Sequence, residues 1–114
     1  MRAGRETLLL AQIRRECEAA LSFVEGIDRE RFLADPLVQH AVAMSLVVVG
    51  EAAARLLQTS PDFAAAHPEV PWSSVVGMRN RVTHGYYGLD FEVVWETVRR
   101  SIPEFLARLP KTPL

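Results

Sequence analysis

Apolar positions recur three and four residues apart along almost the whole chain, so the sequence reads as helix after helix. A first helix is predicted from about Glu6 to Glu25, with Leu10, Ile13, Cys17, Ala20, Leu21 and Val24 as its apolar stripe. Arg15, Glu18, Ser22 and Glu25 occupy the opposite face, and Gly26 fits the position just past the end. Asp28 to Ala34 supplies a short helical piece behind an aspartate cap. Asp35-Pro36 opens a second long helix that runs to Gln58 or Ser60. Leu46 to Val49 make this helix apolar on nearly every side, which places it in the middle of a bundle. Three prolines punctuate Ser60 to Pro71, a connection with one turn at Phe63–Ala66. Trp72 begins a third helix ending near His84-Gly85. Asp90 caps the last, whose Phe91, Val94, Trp95, Val98, Ile102, Phe105 and Leu109 share one side. Pro103 should kink that helix or end its regular part. Four main helices with short connections predict an all-α, up-down four-helix bundle.

The 114 residues amount to a single domain, 1–114. The net charge of −1 argues against a generally basic nucleic-acid coat, though a local cationic cleft remains compatible with it. Cys17 is the single cysteine, so no intrachain disulfide is available, and it reads as a small core residue. The apolar run Leu8-Leu9-Leu10 is too short for a signal-peptide core. The stretch Ala41 to Ala54 is shorter than a membrane span requires. The expectation is a soluble, cytoplasmic protein with no membrane association.

One segment departs from the ordinary mixture of charges. Gly77-Met78-Arg79-Asn80-Arg81-Val82-Thr83-His84-Gly85-Tyr86-Tyr87-Gly88 carries cations and tyrosines, with no carboxylate until Asp90. Cations at a helix end beside a glycine-flanked turn suit an anion such as phosphate. At about 100° per residue, Asn80 and His84 share a helix face, whereas Arg79 lies about 140° from His84. Arg79 must curl round to share a site with His84, or meet the His84 of another chain. Cleaving RNA without a metal needs a group to take the 2′-hydroxyl proton, one to protonate the leaving 5′-oxygen, and a cation on the phosphorus. Histidine and arginine fill those roles. One chain offers one plausible catalytic histidine, and a symmetric dimer would bring two into one cleft.

The segment resembles the R-x-x-x-x-H motif of the HEPN ribonucleases, and more closely the R-x-x-x-x-H-x-Y motif of HepT-type toxins, as Arg79, His84 and Tyr86. The likeness runs from about Leu8 to Leu109. It takes in Val49-Gly50-Glu51-Ala52, Pro71-Trp72, Gly77-Met78-Arg79-Asn80 and Asp90 through Trp95. The resemblance implies a homodimeric helical bundle acting as a metal-independent endoribonuclease, with Arg79 and His84 catalytic. It also implies a toxin–antitoxin system, of type II or controlled by AMP transfer. The partner would be a minimal nucleotidyltransferase that uses ATP to place AMP on Tyr86. Asn80 and Arg81 are supporting candidates, and Glu51, a carboxylate on an apolar helix, should pair with an arginine of the motif helix. RNA is the expected substrate, tRNA and mRNA both being open, and no cofactor or metal is expected. His40 and His67 read as unrelated to catalysis, and Trp72 and Trp95 as core or interface anchors. The competing reading is a non-catalytic, nucleotide-binding or accessory subunit of a nucleotidyltransferase.

Overall fold

The computed structural model describes residues 2–111, and it is helical, with no strand among the described residues. Position 1 and positions 112–114 of the 1–114 domain read from the sequence lie outside them. α1 spans Arg2–Phe23, beginning ahead of the Glu6 start expected from its apolar stripe and running through Gly4. A turn follows in which Gly26 takes φ of 74°, the left-handed conformation that glycine adopts without penalty. α2 (Arg29–Leu33) begins where the Asp28 carboxylate accepts from the Arg31 amide at 2.8 Å. Asp35 does the same for Val38 at 3.2 Å, with Pro36 as the first residue of α3 (Pro36–Thr59). Pro61 starts the short α4 (Pro61–Ala65), close to the turn expected in the proline-rich connection.

α5 covers Trp72–His84, and a 3₁₀ turn, Tyr86–Gly88, leads to α6 (Phe91–Glu96). The Asp90 carboxylate caps α6 by accepting from the Glu92 amide at 2.9 Å. Thr97–Ser101 forms a π turn that runs into α7 (Ile102–Arg108). This is how Pro103 is accommodated. Proline removes one backbone donor and crowds the carbonyl a turn earlier, and the wider π spacing absorbs both without ending the rod.

α3 is the central member, packed chiefly on α1 and α5, while α1 also meets the π turn and α7. The core joins Ile13, Cys17, Val42, Val49, Leu56, Val94 and Val98, all essentially without solvent exposure. Burial pushes the Cys17 thiol up to about 12, in keeping with its place as a core residue. Both tryptophans are buried: Trp95 lies 5.2 Å from Phe32, and the Trp72 indole donates to the His67 carbonyl at 3.3 Å. α3 is the central helix, as its apolar run predicts, and outside that run Leu37 and Met44, two helical turns apart, are 80% and 62% exposed. α3 is also long and apolar enough to cross a bilayer by composition, longer than the Ala41–Ala54 stretch suggested, and half of its most apolar window is buried in the bundle.

Candidate functional site

The site is organised by the contact between α3 and α5. Gly50 stands where α5 comes closest: a Cβ built on it would lie 2.2 Å from the Arg79 Cβ and 3.1 Å from the Val75 carbonyl oxygen. No residue with a side chain fits there, so Gly50 lets the stem of Arg79 lie directly on α3. One residue on, Glu51 accepts a hydrogen bond from Nη1 of Arg79. The guanidinium is thereby tied to the neighbouring helix, and its buried Nε finds no partner within the described residues. Burying the stem while holding the head by a carboxylate fixes the direction of an otherwise flexible side chain.

Asn80, Arg81 and His84 lie on another side of α5. With Gly85, Gly88, Leu89, Asp90 and Val93 they line a surface cavity of about 520 Å³. All three side chains are exposed. The Asp90 carboxylate in this cavity is engaged as the α6 cap. Arg81 and Val93 also border a second groove, of about 540 Å³, between α5 and the last helical rod, floored by Leu46, Val49 and Phe105. The structure therefore joins Arg79 to Glu51, and His84 to Asn80 and Arg81, in two separate settings. Helix rotation of about 140° between positions five apart accounts for the division.

Tyr86 occupies a third setting. Its ring lies 5.2 Å from that of His40 and 5.9 Å from that of Phe91, and its hydroxyl is buried without a partner. Burial raises its pKa above the ordinary phenolic value. Tyr87, next to it, is fully exposed. His40, read from sequence as unrelated to catalysis, packs on Tyr86, while His67 pairs with Glu69 at 3.3 Å. Among the described residues no three His, Cys, Asp or Glu side chains come together as a metal site would need.

The sequence placed Gly50 within the family likeness and Phe91 on the apolar side of the last helix, and assigned neither a part in the site. A glycine inside an alanine- and valine-rich helix costs about 1 kcal/mol of helix stability, and that penalty was the available signal of a close approach.

The all-α bundle, with an arginine and a histidine five residues apart on one of its helices, is consistent with a HEPN-like fold. Residues 13–111 match the family described as Ribonuclease HepT-like. The chain is 38% identical over 95 residues to an RNase-named protein of Caldanaerobacter subterraneus subsp. tengcongensis, covering 83% of this chain and 82% of that one. A Thermococcus cleftensis protein named as a ribonuclease HepT is 35% identical over 102 residues, 90% of each chain. An RNase-named protein of Methanocaldococcus jannaschii is 32% identical over 91 residues, 80% of this chain and 76% of that one. No solved structure matches. The chain belongs to the HepT-like ribonuclease family.

Proposed function

We propose that this chain is a metal-independent endoribonuclease that works as a homodimer and serves as the toxin of a toxin–antitoxin pair. Its partner is a minimal nucleotidyltransferase, which silences it by transferring AMP from ATP to Tyr86. The observation that carries the reading is the state of the motif on α5. Arg79 is anchored by Glu51 over Gly50, and His84 opens with Asn80 and Arg81 onto a cavity.

In the reaction the ribose 2′-oxygen attacks phosphorus, and the bond to the 5′-oxygen breaks. One imidazole takes the 2′-hydroxyl proton and another protonates the departing 5′-oxygen, leaving a 2′,3′-cyclic phosphate. Guanidinium groups offset the charge that builds on the phosphoryl oxygens. One chain supplies a single histidine to this cavity, so a second copy completes the pair of proton carriers. Exposed Leu37 and Met44 leave apolar surface for such a copy to cover.

The test is cleavage of total cellular RNA and tRNA in EDTA by protein of confirmed unmodified mass, beside His84→Ala. The expected result is cleavage with cyclic phosphate ends, lost in the variant. A folded, unmodified protein that leaves RNA intact would point to an accessory subunit instead.

A further inference from the structure

Two adjacent tyrosines face opposite ways. The Tyr87 side chain is 107% exposed, whereas the Tyr86 hydroxyl is sealed from solvent with no hydrogen-bond partner. What closes over Tyr86 comes from two distant parts of the chain. His40, near the start of α3, is steadied by a contact of Nδ1 with the Pro36 carbonyl at 2.6 Å, and its ring packs on the phenol. Phe91, the first residue of α6, meets Tyr86 edge-on and is itself packed on buried Phe32 at 6.4 Å. Tyr86 thus pins the 3₁₀ turn Tyr86–Gly88 between α3 and α6. Glycines at 85 and 88 bracket the turn, giving the backbone freedom at each end of it.

We propose that Tyr86 is a latch: its oxygen can be modified only when the Tyr86–Gly88 turn swings away from His40 and Phe91, and AMP on that oxygen then holds the turn open. This rests on the reading of Tyr86 as the AMP acceptor. In the transfer, the phenolic oxygen attacks the α-phosphorus of ATP. The new O–P bond forms as the bond to the bridging oxygen breaks, pyrophosphate leaves with that electron pair, and the phenolic proton passes to solvent. The product puts a nucleoside phosphodiester on an oxygen that has no room around it in the closed turn. Closed packing and modification therefore exclude each other, and the modified chain is driven to the open form. The turn begins two residues after His84, so opening it draws His84 from its place beside Asn80 and Arg81. Modification then silences the site by displacement as well as by added charge. The transfer rate scales with the fraction of molecules that are open.

The experiment uses N-acetylimidazole, which acetylates accessible phenolic oxygens, with fragment mass spectrometry to separate Tyr86 from Tyr87. On the folded protein Tyr87 should react at least about ten-fold faster than Tyr86, the difference being the cost of opening the turn. His40→Ala, at an exposed position, and Phe91→Leu should each raise Tyr86 acetylation several-fold and leave Tyr87 unchanged. The same variants, given ATP and the nucleotidyltransferase, should take up AMP faster in the same proportion. Equal acetylation of the two tyrosines in the parent protein, or no response at Tyr86 in either variant, would overturn the latch. The expected acetylation pattern without AMP transfer to Tyr86 would instead overturn its role as acceptor, leaving the closed turn in place.

Discussion

Arg79 and His84 are separated by little more than one turn of α5, and they are built in contrasting ways. Arg79 lies in a tight, specified contact: its stem is pressed onto Gly50, its head is held by Glu51, and little of it reaches solvent. His84 stands exposed at the end of the same helix, over an open cavity, followed by the turn that Tyr86 pins. In the proposed reaction one end of the motif is scaffold and reagent together, and the other is reagent alone. Changes at the first should therefore cost stability and activity together, while changes at the second should cost activity only.

The sharpest break in that contrast is His84→Ala. It should lower RNA cleavage by about 10³-fold, within the range for loss of a general acid or base, and shift unfolding free energy by less than about 0.5 kcal/mol. Parallel loss of stability in urea titration would show that His84 is scaffold as well. Next in size is Gly50→Ala, which forces α3 and α5 apart. It should destabilise the fold by about 2–3 kcal/mol and lower cleavage with it. Its control is Gly77→Ala on α5, where a Cβ meets nothing within 4 Å. That substitution should be neutral or stabilise by up to about 1 kcal/mol. Smaller again is Glu51→Gln, which keeps the shape and a weaker acceptor. Cleavage should fall about ten-fold through misdirected Arg79, with a stability change under about 1 kcal/mol because the pair is partly exposed. Measuring kcat apart from KM for this variant separates positioning of the guanidinium from simple loss of RNA affinity.

Local rules made much of the fold legible. Aspartates at 28, 35 and 90 cap the helices that follow them, and prolines at 36 and 61 sit in first turns, since capping depends on neighbours in sequence. The angular separation of Arg79 from His84 is likewise a property of one helix. Contacts between helices were only partly legible. Glu51 on an apolar helix demanded a cation, and the motif helix offered one. That Gly50 makes room for Arg79 depends on where α5 crosses α3, which no single-helix periodicity contains. The burial of Tyr86 depends on His40 and Phe91, brought to it by the packing of two other helices. Pro103 announced a lost hydrogen bond, but a kink and a π turn answer that loss equally well until the packing of the last rod decides.

The proposed reaction needs two copies of His84 in one cleft, and subunit mixing tests this most directly. Parent protein and His84→Ala are combined in equal amounts, allowed to exchange subunits, and assayed for RNA cleavage at fixed total protein. If the cleft needs a histidine from each chain, activity falls to about a quarter of the all-parent value, the share of dimers with both. Activity of about a half, with each parent chain working regardless of its neighbour, would contradict it.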